Sequence, residues 1–149
     1  MHFYTIGVYN STEKEFLDKL IENKIDTFCD IRQRRGIRGA KYAFVNSLKL
    51  QDNLKKIRIK YYYIPKLAPT TEIRNLQKKA DLDNRELKSQ RQQLGPIFKT
   101  EYNHSILNNF GFERFINDLK ANGAKRIVLF CVEELAEACH RSLNNKKME

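Results

Sequence analysis

Four short runs of β-branched and aromatic residues, separated by stretches with helical spacing, constrain this chain more than any other feature. They are 3–8 (FYTIGV), 25–31 (IDTFCDI), 59–64 (IKYYYI) and 126–132 (RIVLFCV). Strands separated by helices pair in parallel through right-handed crossovers. The run 25–31 is largely apolar without alternation, the pattern of a strand covered on both faces. The expected fold is therefore α/β. It is a single domain over 1–149 with a small, mainly parallel sheet of about four strands flanked by helices, and a helical insert between the third and fourth strands.

The intervening segments carry helix signals. Thr12 followed three residues later by Glu15 forms a capping box, and Phe16, Leu17, Leu20 and Ile21 follow at helical spacing. Asn46 or Ser47 is placed to cap a second helix with the stripe Leu50, Leu54 and Ile57. Pro65 stops the third strand. Residues 70–94 read as a polar helix, weakly amphipathic through Ile73, Leu76, Ala80 and Leu87. Pro96 opens another helix carrying Ile97, Phe98, Tyr102 and Ile106, and Phe112, Phe115, Ile116 and Leu119 line one more, ended by Gly123. A terminal helix follows the last strand. Four strands make a small sheet for this length, so the insert is read as a lid or an edge-covering layer.

Composition excludes several classes. A chain of 149 residues with 41% apolar and 31% charged residues is globular, and no apolar run approaches a membrane span. The opening MHFYTIGV has no basic segment or cleavage site, and the three cysteines Cys29, Cys131 and Cys139 are odd in number. Reduced thiols and a cytoplasmic location are expected, with no membrane partner and no cofactor. The net charge of +10 is concentrated: residues 31–60 hold ten basic side chains against the single acid Asp52. A localised block of this kind makes a directional field that attracts polyanions. Lys55, Lys56, Arg58 and Lys60 are read as merely solvating a helix and its exit.

In open α/β sheets ligands bind beyond the carboxyl ends of the strands. Three unusual segments fall there: Gly7–Asn10, Asp30 to Gly39, and Cys131 through Glu133 to Ser142. In the second, Arg32, Arg34, Arg35 and Arg38 stand within seven residues, with Gly36 and Gly39 beside them. Arginine presents a rigid fork of donors that matches phosphate oxygens, and glycine admits close backbone approach. Tyr42 and Phe44 follow; a stacking role against a base is one reading, a core role the other, and Phe44 is assigned to the core.

The third segment carries a catalytic alternative. Cys139 and His140 are expected early in the closing helix, where the helix dipole favours a thiolate. Cys131, inside an apolar strand, is expected to be packed, and Cys131, Cys139 and His140 lack a zinc spacing, so no metal site is assigned. A phosphatase-like cysteine loop is disfavoured because Glu133, Glu134 and Glu137 repel phosphate and Arg141 follows Cys131 by ten residues. Two classes remain. One is a binding module whose basic loop grips nucleic acid or a phosphorylated small molecule above a polar network of Asp30, Glu133 and Arg141. The other is an enzyme acting on a nucleotide or nucleic acid, with Cys139, His140 or Glu133 as nucleophile or acid–base group. Adjacent helical residues point about 100° apart, which hinders a Cys139–His140 dyad and favours binding.

TIG at 5–7, DIR at 30–32 and CVEELAEACHRS at 131–142 resemble the three signatures of the domain of unknown function 488 family. The stretch 32–51, with 67–74 and 88–91, resembles one branch carrying an RQRRGxRGxxYAFxNS motif. The resemblance spans essentially the whole chain. It implies an α/β fold and no settled activity. The motif positions it implies are Asp30, Arg32, Arg34, Arg35, Arg38, Tyr42, Asn46, Cys131, Glu133, Cys139, His140 and Arg141. Val8-Tyr9-Asn10 stands where many members have His-Ser-Asn, so no role for that histidine transfers. Proline often aligns with Ala136, which implies a helix starting near there.

Overall fold

The computed structural model describes residues 1–83 and 96–131. The expected strands are present as β1 (His2–Ile6), β2 (Thr27–Asp30), β3 (Lys60–Tyr63) and β4 (Arg126–Phe130). They form one sheet in the order β1-β4-β2-β3, with every neighbouring pair parallel. Each strand is shorter than the apolar run that announced it. Val8, Ile25, Ile31 and Ile59 lie beyond the ladders yet are buried. Apolarity reports burial, and the ends of these runs fill the core without pairing.

Alternation along the strands divides the core in two. Ile6, Phe28, Val128 and Phe130 face α1 (Glu13–Glu22) and α2 (Ser47–Lys56), with Phe16, Leu20, Leu50 and Leu54 buried against them. Cys29, Ile127 and Leu129 face the other way. There they meet Ile73, Phe98, Tyr102 and Leu119 of α3 (Thr71–Asp83), α4 (Pro96–Ser105) and α5 (Phe112–Ala121). The described helices of the insert between β3 and β4 thus form a layer over this face of the sheet. The Tyr102 hydroxyl ties it down by donating to the carbonyl of Leu67, in the short 3-10 turn Pro65–Leu67 after β3.

Local signals account for the helix ends. The capping box forms: the Glu15 N–H donates to Thr12 Oγ1 at 3.2 Å, and the Thr12 N–H donates to Glu15 Oε1 at 3.1 Å. Gly123 adopts φ 81° just past α5, a conformation that favours glycine. The apolar stripes are narrower than their spacing suggests, with Ile21, Leu76 and Ile97 exposed. Leu87 and the segment expected to form a closing helix lie outside the described residues. No helix among the described residues is long and apolar enough to cross a membrane.

At the amino edge of the sheet, the Asp26 carboxylate accepts the backbone N–H groups of Lys125 (3.1 Å) and Arg126 (2.9 Å). This pins the start of β2 to the start of β4 and sets the register Thr27↔Ile127. Phe16 reaches Phe28, Phe44 and Phe130, with ring centroids 6.3, 5.8 and 5.5 Å away. Phe16→Ala is therefore expected to cost about 3–5 kcal/mol through loss of burial and an unfilled cavity. Thr12→Ala, which removes only the cap, costs about 1 kcal/mol. Urea unfolding of the two variants against the parent protein measures the difference.

Candidate functional site

The carboxyl edge is organised by the last residue of β2. Asp30 and Arg32 are two apart in extended chain, so their side chains leave on the same side. They meet in a two-pronged ion pair: Arg32 Nε donates to Asp30 Oδ1 and Arg32 Nη2 to Asp30 Oδ2, both at 2.8 Å. The Arg32 backbone N–H also donates to Oδ1, at 3.2 Å. Asp30 is wholly buried and Arg32 is 3% exposed. The Tyr61 hydroxyl adds a 2.7 Å hydrogen bond to Asp30 Oδ2, and the guanidinium lies over the Phe130 ring, 4.7 Å from its centroid. One guanidinium nitrogen is left over: Arg32 Nη1 is buried and has no hydrogen-bond partner among the described residues.

Burial, then the charge of Asp30, pushes the Tyr61 phenol up to about 12, with Arg35 pulling the other way. The neighbouring Tyr61 hydroxyl in turn holds the Arg35 guanidinium in its charged form, above its ordinary value. Arg35 also lies over the Tyr63 ring, 4.2 Å from its centroid. A charged array therefore runs from Arg35 past Tyr61 to Asp30 and Arg32, with two cations and one anion.

Beyond this array the loop is held by its backbone. The Tyr63 hydroxyl donates to the Gln33 carbonyl (2.8 Å), the Ser47 N–H to the Arg35 carbonyl (3.0 Å), and the Ile37 N–H to Asn46 Oδ1 (2.6 Å). That last bond corrects the sequence expectation. Asn46 occupies the cap position of α2, but its side chain makes no capping hydrogen bond and anchors the arginine loop instead. Gly39 adopts φ 86°, a left-handed conformation that favours glycine. Gln33 spans to α3, donating to Thr71 Oγ1 (3.1 Å) and accepting from Arg74 Nη1 (2.9 Å). Arg34, Arg38 and Lys41 are exposed.

Two of the three edge segments come together. The Asn10 N–H donates to the Tyr42 hydroxyl at 2.9 Å, and the Tyr9 and Tyr42 rings lie 5.4 Å apart, joining Gly7–Asn10 to the arginine loop. Tyr42 is half-buried against the core with Lys41 above its ring, and Phe44 is buried. Cys131 is buried and its N–H donates to the Ile6 carbonyl at 3.3 Å. Glu133, Cys139, His140 and Arg141 lie outside the described residues. No group of three His, Cys, Asp or Glu side chains that could hold a metal occurs among the described residues.

Tyr61, Tyr63, Gln33, Arg74 and Phe130 were not singled out from the sequence. The signal was present in part: in KYYY, Tyr61 and Tyr63 share a face by alternation, and β3 was legible as the strand after the basic loop. Nothing local indicates that β3 pairs with β2 in the register Asp30↔Tyr63.

The family model described as "Domain of unknown function DUF488" matches residues 12–146. No curated protein and no solved structure matches the chain.

Two expectations follow from this geometry. Asp30→Ala strands a buried guanidinium and is expected to cost about 3–5 kcal/mol, whereas Asp30→Ala with Arg32→Met recovers most of that loss. Urea unfolding of the single and double variants tests it. Burial also pushes the Cys29 thiol from 9.0 up to about 12. Between those values the unfolded chain loses a proton that the folded chain keeps, so stability falls as pH rises through that window. Unfolding free energies measured from pH 8 to 11 should decline, and less steeply in Cys29→Ala.

Proposed function

The chain belongs to the DUF488 family, whose description assigns no activity, and from that premise we propose that it is an anion-binding module. Its arginine loop grips the phosphates of nucleic acid, or of a phosphorylated ligand, at the carboxyl edge of the sheet. The observation that carries this reading is uncompensated charge on an ordered loop. Arg34, Arg35 and Arg38 form no ion pair among the described residues, while the loop that presents them is held at Gln33, Arg35, Ile37 and Tyr42.

Three considerations support the reading physically. A surface that served solubility alone would intersperse acids among these cations; here the nearest acid in the loop, Asp30, is consumed by Arg32. Arg35, whose guanidinium lies over the Tyr63 ring, has its fork held near one place, which lowers the conformational cost of binding a phosphate. The position, outside the carboxyl ends of parallel strands, is where open α/β sheets place their ligands.

Binding of this kind is salt-dependent because phosphate neutralisation releases counterions. The expected log–log slope is about −0.7 to −0.9 per phosphate contacted, and Arg34→Ala/Arg35→Ala/Arg38→Ala should flatten it by about 2 to 3. Fluorescence anisotropy of a labelled oligonucleotide across a salt series, with circular dichroism confirming the fold, measures this. An unchanged slope and affinity in the triple variant removes the proposal.

A further inference from the structure

We infer that the Asp30–Arg32 pair is the floor of a subsite for one phosphomonoester, which takes a chain end or a mononucleotide in preference to an internal phosphodiester. The inference rests on the anion-binding reading above and narrows its ligand. It starts from Arg32 Nη1, a buried guanidinium nitrogen without a partner among the described residues. Arginine has five N–H donors; the ion pair uses Nε and one proton of Nη2. Both Nη1 protons remain, on a side chain that is 3% exposed. Buried polar groups are as a rule hydrogen-bonded, and an orphaned donor on a charged group is among the costliest exceptions.

The ion pair fixes the direction in which that donor points. Two hydrogen bonds from Arg32 to Asp30, the Tyr61 hydroxyl on the carboxylate and the Phe130 ring beneath the guanidinium leave the plane no freedom to turn. The charge count also calls for an anion. Asp30 offsets Arg32, which leaves Arg35, beside Tyr61, without a carboxylate among the described residues. An oxyanion bound at Nη1 supplies the acceptor and balances that charge.

Depth selects the class of phosphate. Arg34 and Arg38 are exposed, so a phosphodiester lying along the surface reaches them. Arg32 Nη1 is buried; a phosphodiester is esterified on two sides, and its flanking sugars keep its oxygens from a donor at that depth. A phosphomonoester has three unesterified oxygens and a charge near −2 at pH 7, with a second pKa of about 6. It can present one oxygen to Nη1 and others toward Arg35. The outer loop then supplies affinity for any nucleic acid, and the inner donor distinguishes a terminal phosphate from an internal one.

The test compares one oligonucleotide in three forms, with a 5′-phosphate, a 3′-phosphate or neither, and includes a mononucleotide as competitor. One phosphorylated form should bind wild-type protein about tenfold more tightly than the unphosphorylated form, as a charge-assisted contact implies. The preference should shrink as pH falls from 7 to 5 and the dianion takes up a proton. Arg32→Lys, which keeps the charge but loses the fork, should abolish the preference; Arg34→Ala/Arg38→Ala should weaken all three forms alike. Displacement by the mononucleotide at similar affinity identifies a free nucleotide as the ligand, and much weaker displacement identifies a chain end. Equal binding of the three oligonucleotides by the wild-type protein overturns the subsite and leaves the outer-loop reading standing. If no oligonucleotide binds, the outer reading fails and inorganic phosphate decides the subsite. A saturable shift of the Arg32 Nε–H resonance supports it, and an unmoved resonance overturns it.

Discussion

The ion pair between Asp30 and Arg32 is the constraint on which the carboxyl edge depends. A carboxylate at the end of a central strand has no water to solvate it, so it must find donors within the fold. It takes three kinds: the guanidinium two residues on, the Arg32 backbone N–H, and the Tyr61 hydroxyl from the next strand. Satisfying the aspartate draws the chain after β2 inward for two residues before it turns out as the arginine loop. Arg32 is buried for this reason while Arg34 and Arg38, in the same run, are exposed. Arginines of identical chemistry thus divide into one enclosed by the fold and others that stand exposed on the loop, and the distance from Asp30 decides which is which.

The sheet treats its two edges differently. At the amino edge Asp26 commits its carboxylate to the backbone amides of Lys125 and Arg126, where β4 begins, closing that side with backbone hydrogen bonds. At the carboxyl edge the aromatic side chains of β3 supply the support: Tyr61 to the carboxylate, Tyr63 to the Gln33 carbonyl and to the face of Arg35. An edge strand thereby does more than extend the sheet. Its alternate residues form a scaffold for a loop that belongs to its neighbour.

The fold was legible because its signals are periodic and local: apolar runs bounded by polar turns, a capping box, a glycine past a helix. What was not legible depended on distance in space between residues far apart in sequence. Asn46 looked like a helix cap, since capping is a short-range rule. Its oxygen went to the Ile37 amide because the arginine loop folds back over the start of α2. Tyr61 and Tyr63 read as ordinary strand aromatics until the pairing of β2 with β3 placed them beside Asp30 and Gln33. The insert was visible as helix but not as a cover for a sheet face, because weak amphipathicity in α3 conceals how fully Ile73 is buried. Among the candidate residues, the arginines and Asp30 were found by composition and position. Their aromatic partners required the register.

The strand order carries a consequence for how the chain acquires its shape. β4, the last of the described strands, is the only described neighbour of β1, the first, and it also separates β1 from β2. During synthesis β1 emerges without a partner and waits while more than a hundred residues follow. The β2–β3 pair with α2 can assemble early because its contacts are close in sequence. The sheet becomes continuous only when β4 slots between two preformed edges, a step that closes a long loop and is intrinsically slow. Until then, the unpaired backbone of β1 and β2 is open to other strands. A nascent or newly diluted chain of this kind is most vulnerable to aggregation just before β4 arrives, and a chaperone that shields β1 would act at that moment.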